Sequence, residues 1–376
     1  MEKQTRLTRV PFVDLGRAHA ALRRAIVDDV ARLFDSGAFV DGSEVAAFES
    51  AFADYCGSAH AVGVASGLDA LRLGLIAGGL EPGDEVVLPA NTFVATAEAV
   101  TQAGGIPVFV DVSEVDYNLD PAAAVAALTD RTRFLLPVHL YGQLADMGSL
   151  GALAGPKGIG IVEDACQAHG ATRDGHRAGS SGLAGAFSFY PTKNLGAIGD
   201  AGAVTTSTEP LGATVRALRQ HGQREKYVHE LEGYTARLDT IQALVLLHKL
   251  PLLEGWNDER ERAAALYLDA LDGVGDLHLP PIAPKSKPVW HLFVVRTADP
   301  SVLAAFLRER GIQTARHYPV PIHLCPAYAH LGYGEGSFPV AEALAGECLS
   351  LPIFPGIRES ELTQVVEATE EYFANG

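Results

Sequence analysis

Lysine is scarce in this sequence. Only seven of its 376 residues are lysine (positions 3, 157, 193, 226, 249, 285 and 287), and Lys and Arg together number 29 against 46 Asp and Glu, a formal net charge of −17. So acidic a chain is not built for a nucleic-acid partner, which needs clustered Lys and Arg against its phosphates. A local basic patch for one phosphorylated small molecule remains open. Long apolar runs are missing too: none approaches the roughly 18 to 20 residues that span a bilayer, so no membrane association is expected. The opening "MEKQTRLTRVPFVDLGR" lacks the apolar stretch of a signal peptide. The four cysteines (Cys56, Cys166, Cys325, Cys348) stand far apart, with no CxxC and no His cluster at metal spacing. They are expected as reduced thiols in a cytoplasmic protein, Cys166 serving packing, with no metal site. No GxGxxG follows the first apolar run, which argues against a nicotinamide cofactor.

What is present is a rhythm. From about residue 60 to 207, short apolar runs alternate with helix-like segments: "AVGVA", "DEVVLPA", "IPVFVDV", "RFLLPVHL", "GIGIVEDA", "AGAFSFY" and "AGAVTTS". Most are continuously apolar, as strands covered on both faces are. Helices are predicted over 68–78 and over 92–104, the latter N-capped by Asn91 or Thr92. The pattern predicts an α/β domain with a mixed, mainly parallel central sheet flanked by helices. Beyond 207, helical segments are expected over 209–221 and 238–272, and the Pro-rich 277–290 has the composition of a boundary. A smaller C-terminal α+β domain is expected to follow. The division adopted is 1–250 for the large domain and 251–376 for the small one, with the N-terminal segment packing on the latter.

In such a sheet, ligands bind beyond the carboxyl ends of the strands. That edge collects Ser66 and Gly67, Asn91 to Phe93, His139 and Tyr141, Asp164 and Gln167, and Tyr190 with Lys193. Among the lysines, Lys193 alone follows a buried run and faces small residues on its far side. A buried ammonium is costly unless paired, neutralised or consumed by chemistry. Pyridoxal phosphate (PLP) consumes it, because its aldehyde forms a Schiff base with a lysine amine. PLP also needs a carboxylate at its ring nitrogen, an aromatic face, and N–H groups and hydroxyls for its phosphate. Lys193, Asp164, Phe93 and the "SGLDAL" turn at 66–71 offer one candidate for each need.

With these residues in view, the chain resembles the DegT/DnrJ/EryC1/StrS family of PLP-dependent sugar aminotransferases, within the fold-type I aspartate aminotransferase superfamily. The resemblance runs from "VPFVDLGR" to "LSLPIFPGI" and is carried by "ANTFVATAEAV", "PVHLYGQLADM", "VEDACQAHGA", "FSFYPTKNLGAIGDAGAV", "RLDTIQA" and "HYPVPIHLCPAY". It implies a homodimer with active sites at the subunit interface, cycling between PLP and pyridoxamine phosphate (PMP). It implies that Lys193 is the Schiff-base lysine, Asp164 the partner of the ring nitrogen, Gln167 the contact of the phenolic oxygen and Phe93 the stacking ring. Ser188 and Ser66–Gly67–Leu68 would cradle the phosphate. Two departures stand out: the turn reads Gly67-Leu68-Asp69 where relatives often have Gly-Thr-Asp, and Thr235 replaces an asparagine that reaches the partner's phosphate.

The same resemblance makes Tyr190, His317 and Tyr318 the lining of a sugar pocket, the plain alternative being a stabilised Pro-rich turn. Arg219 and Lys226 lie in "RQHGQREKYVHE" and are candidates for a nucleotide diphosphate, the alternative being a solvated loop. The implied substrates are a nucleotide-linked (dTDP) deoxy sugar ketone, aminated at C3, and glutamate or glutamine as donor. A 4-keto sugar, an aminocyclitol ketone and a non-catalytic protein of the same fold are the alternatives. His169 is expected to be a core histidine.

Overall fold

The computed structural model describes residues 9–374, so Lys3 and the first part of the segment read for a targeting signal lie outside the described residues. Each of the seven apolar runs forms a strand of one sheet: β1 (His60–Val64), β2 (Glu85–Pro89), β3 (Ile106–Val110), β4 (Thr132–Leu135), β5 (Gly160–Asp164), β6 (Ala184–Ser188) and β7 (Gly202–Thr206). Their spatial order is β1-β7-β6-β5-β4-β2-β3. β7 runs antiparallel to both its neighbours, and the other pairings are parallel. Pro107 falls on β3, the edge strand, where a missing N–H breaks no ladder.

The helices that matter here are α1 (Ser43–Cys56), α2 (Gly67–Ala77), α3 (Ala95–Gln102), α4 (Glu209–Arg219), α5 (Thr240–Lys249), α6 (Leu253–Ala270), α7 (Pro300–Glu309), α8 (Pro339–Glu347) and α9 (Glu359–Ala374). Successive side chains of a strand point to opposite faces, and β6 shows both faces covered. Ala184 and Ala186 join a cluster with α2, α3 and α4, while Phe187 joins one with α1 and α5. That second cluster is aromatic: Phe52 meets Phe187 and Phe189 edge-on at centroid distances of 4.9 and 5.1 Å. Truncating a buried ring of this kind to alanine costs about 3–5 kcal/mol.

Two expectations about helices need correction. The segment 92–104 becomes helical only at Ala95 and has no side-chain cap. Thr92 instead shares a hydrogen bond with Thr96 (3.0 Å), and Asn91 is buried, because both belong to the loop that approaches β5. The segment 238–272 is not continuous. Pro251 lacks the N–H that a helix interior needs, and a 3-10 turn at Leu250–Leu252 separates α5 from α6.

A third apolar cluster draws Val10, Ala263, Ala264 and Tyr267 together with Leu303, Leu307, Ile312 and Val365. It is built on the antiparallel pair β8 (Phe293–Arg296) and β9 (Cys348–Leu351). Val10 donates to the Gly311 carbonyl and accepts from the Gln313 N–H, each at 3.0 Å, which fastens the N-terminal segment to this part of the chain. No helix among the described residues is long and apolar enough to cross a membrane.

His169 sits in the aromatic cluster, its ring 5.3 Å from Phe187 and 5.7 Å from Phe189. Burial, and then the positive charge of Lys193, push its imidazole down to about 3 from 6.5. A folded-state value below the unfolded one means the unfolded chain takes up this proton first. The stability it protects is therefore complete above pH 6.5 and lost as pH falls toward 3. In His169→Phe, the unfolding free energy measured in urea should fall less steeply over that window, by up to about 1.4 kcal/mol per pH unit. Parallel curves for the two proteins would contradict this.

Candidate active site

The carboxyl ends of β5 and β6, the first turn of α2 and the loop before α3 enclose a cavity of about 620 Å³. Lys193, Asp164, Gln167, Phe93, Ser188, Ser66, Gly67, Leu68, Tyr190, His317 and Tyr318 all line it. Residues as distant in sequence as 66 and 318 thus face one volume.

Asp164 ends β5 and is 5 % exposed. One carboxylate oxygen accepts from the Thr96 hydroxyl at 2.8 Å and the other from the Cys166 N–H at 3.2 Å. Each oxygen keeps a lone pair for a further donor. The residue before it holds the strand end in place. Glu163 is fully buried against His139 at 2.8 Å. Burial alone would raise the Glu163 carboxyl, yet the hydrogen bonds from His139 and from the Gly182 and Gly179 N–H groups hold it below its usual value.

Lys193 lies in a tight turn after β6, its N–H bonded to the Tyr190 carbonyl at 2.8 Å. Burial lowers the lysine, and the nearby Cys166 and Asp164 partly oppose that. A lowered amine is closer to the neutral form that attacks a carbonyl. No ion pair to Lys193 exists among the described residues, so the carboxylate and the amine look onto the same space without joining.

The remaining wall suits a phosphorylated aromatic ring. The Gln167 side-chain oxygen is occupied by the Tyr141 N–H (2.8 Å), so its NH₂ must face Tyr318 (3.1 Å) and the cavity. Gln167 can therefore only donate there, as a phenolic oxygen requires. Ser188 accepts from the Tyr190 N–H at 3.3 Å, which leaves its own proton to give. Ser66 caps α2 by accepting from the Asp69 N–H at 3.0 Å. Gly67 is required for close approach: a Cβ there would lie 2.6 Å from the Ser188 Cβ. Its neighbour across the turn is as tight, since a Cβ on Gly202 would lie 2.3 Å from the Ser66 carbonyl. These contacts set the helix N-terminus, with the free N–H groups of Gly67 and Leu68, beside Ser188, a place that favours an anion. Phe93 is 53 % exposed at the mouth, its ring 5.6 Å from Tyr318. Leu68 packs against the core cluster and, having no hydroxyl, has only its backbone N–H to give a phosphate. The residues present fit PLP.

On the far wall, burial and then Lys193 push His317 down to about 4, so it is neutral. Its Nδ1 lies 2.8 Å from the Ser350 hydroxyl. Burial likewise raises the Tyr318 phenol, which stays protonated.

Three sequence candidates are not in this cavity. Arg219 is a correction: its guanidinium bonds Glu49 and the Gly63 carbonyl, each at 2.5 Å, and is spent joining α4 to α1 and β1. Lys226 is exposed on a hairpin beside Tyr227, and Thr235 meets His221 at 3.2 Å.

Sequence reading also missed several residues. Thr96 stands between Thr92 and Asp164, a relation legible only as an i, i+4 threonine pair. Cys166, expected to pack, also lines the cavity. Lys249, buried at 3 % exposure, was not expected, although "LLHKLPLLEGW" surrounds it with apolar residues. Its ammonium bonds the Gly196 carbonyl and lies 2.8 Å from His19 Nε2, on the other side of the Lys193 turn.

Asp164→Asn keeps the shape and the Thr96 contact but removes the charge. It should lower the affinity for PLP and slow turnover by at least about a hundredfold, the cost of a lost charge-assisted bond. Full activity with unchanged PLP titration would remove Asp164 from the proposed role.

Comparison with known proteins identifies the family. The profile of the DegT/DnrJ/EryC1/StrS aminotransferase family matches residues 21–370. The dTDP-3-amino-3,4,6-trideoxy-alpha-D-glucose transaminase of Streptomyces venezuelae is 48% identical over 372 residues, covering 99% of this chain and 98% of that protein. The crystal structure of S. venezuelae DesV in complex with a ketimine intermediate superposes with a TM-score of 0.95 at 49% identity, over 97% of this chain and 98% of that one. The structure of NtdA from Bacillus subtilis with bound cofactor PMP gives 0.90 at 30% identity, over 99% and 87%. The fold is that of the fold-type I PLP-dependent transferases, and the chain belongs to the DegT/DnrJ/EryC1/StrS aminotransferase family.

Proposed function

We propose that this PLP-dependent sugar aminotransferase takes an amino group from glutamate (or glutamine) and delivers it to C3 of a dTDP-linked 3-keto deoxy sugar. The reading is carried by one conjunction. The chain matches a dTDP-3-amino sugar transaminase over 99% of its length, and Lys193 and Asp164 face each other across a cavity lined by Tyr190, His317 and Tyr318.

When bound, PLP supplies an aldehyde that carries the amino group and a ring that spreads negative charge. The protein supplies the rest. Lys193, once displaced, takes the proton from the carbon that bears the nitrogen and returns it as a general acid. Asp164 keeps a proton on the ring nitrogen, and Thr96 keeps Asp164 aimed. Gln167 donates to the phenolic oxygen, while Ser188 and the N–H groups of Gly67 and Leu68 hold the phosphate. Phe93 covers the ring, and Tyr190, His317 and Tyr318 meet the sugar.

The proposal includes a homodimer with shared active sites. Lys226, Thr235 and the hairpin around Tyr227 (79 % exposed) stand away from their own cavity, as residues serving a partner's site would. Val27, Phe34, Phe39 and Val40 add exposed apolar surface. It also includes a large domain of residues 1–250 and a small one of 251–376, supported by the separate cluster around β8 and β9. Four free thiols support a cytoplasmic setting.

The test uses the PMP form. A dTDP-linked 3-keto-6-deoxy sugar should restore the PLP spectrum at least about tenfold faster than the 4-keto isomer or an aminocyclitol ketone. Faster recovery with either rival, or none with all three, would overturn the reading.

A further inference from the structure

We propose that His291 is a specificity-determining residue whose ring Nε2 accepts a hydrogen bond from a hydroxyl of the sugar substrate. The inference rests on the sugar reading above. It starts from a buried relay of amides that fixes which ring nitrogen carries the proton.

Asn257 donates through its NH₂ to the His169 carbonyl at 2.9 Å, so its side-chain oxygen is the acceptor facing Asn194. Asn194 then donates both of its NH₂ hydrogens, to that oxygen and to the Val289 carbonyl, each at 2.8 Å. Only the oxygen of Asn194 is left to face His291 Nδ1, at 3.2 Å. An amide oxygen accepts and never donates, so Nδ1 must hold the hydrogen. Asn194 and Asn257 are 3 % and 6 % exposed, and neither amide is free to turn over without stranding a donor.

A second charge on the ring is disfavoured by its surroundings. Burial first, then the positive Lys193 and Arg260, lower His291 well below its ordinary value. Arg260 lies directly beneath, its guanidinium donating to the Trp290 carbonyl at 3.0 Å and the His291 carbonyl at 3.3 Å. The other titratable groups facing it are His317 and His169, both also held neutral. A neutral ring with its hydrogen on Nδ1 has a bare lone pair on Nε2.

That lone pair looks into the cavity. His291 lines it together with Lys193, His317 and Tyr318, and its Nε2 has no hydrogen-bond partner among the described residues. It is not sealed off as both nitrogens of His169 are. The chemistry of the two substrates then decides between them. The carboxylates of a glutamate donor carry only lone pairs, which a bare ring nitrogen repels, and its amine is committed to the cofactor. A sugar hydroxyl carries a hydrogen to give. His291 therefore acts in the half of the reaction that handles the sugar, and it favours a ketone with a neighbouring hydroxyl.

Two measurements on the holoenzyme test this. Nitrogen-15 spectra of the histidine rings, with the His291 signals identified by their loss in His291→Phe, should show the neutral tautomer with hydrogen on Nδ1 from pH 6 to 8. A charged ring or hydrogen on Nε2 would overturn the proposal. Single-turnover kinetics should then show His291→Phe slowing the sugar half-reaction at least about tenfold more than the donor half-reaction. His291→Gln, whose amide oxygen reaches the position of Nε2, should recover part of that loss. Equal slowing of both halves, alike in the two variants, would leave His291 only a structural role. If the unaltered PMP form responds to no keto sugar, the substrate reading has failed, and the tautomer still decides whether Nε2 is an acceptor.

Discussion

The structure is organised around an amine that has no partner. Lys193 is buried in the wall of a cavity that a carboxylate also lines, and the two are kept from pairing. Direct contact would stabilise both and use up both. Separation costs stability, because the desolvated amine is left without a partner while Asp164 keeps only Thr96 and the Cys166 N–H, and it leaves room for a flat, phosphorylated cofactor between them.

Much of the surrounding structure keeps that separation. Glu163 and His139 lock the end of β5, and Thr96 fixes the Asp164 carboxylate. Gly67 and Gly202 let α2 press against β6. Asn194, the residue after the lysine, ties the Lys193 turn to α6 and to the strand that brings in His291. Lys249 grips the same turn from the other side through the Gly196 carbonyl. Its lowered pKa, to about 8, has burial as its cause, as in Lys193. The two lysines differ in what they face: Lys249 is spent on backbone and His19, and Lys193 is not.

The sheet was legible because its strands are buried on both faces, which writes them as unbroken apolar runs. The positions of Lys193, Asp164 and Gln167 followed from the rule about strand ends. Other features depend on contacts between distant residues and leave no local trace. Arg219 reads as a surface cation until α4 lays it against Glu49. His291 reads as one polar residue before a strand until Asn194, 97 positions earlier, meets it. The late start of α3 is local in origin: the Thr92 hydroxyl bonds Thr96 and Asn91 is buried, so neither caps the helix.

The most direct test of the central claim concerns covalent chemistry. Holoenzyme reduced with borohydride, digested and mapped by mass spectrometry should carry the pyridoxyl group on the peptide containing Lys193. Label on Lys249, the rival buried amine, or no label on any lysine, would contradict the account.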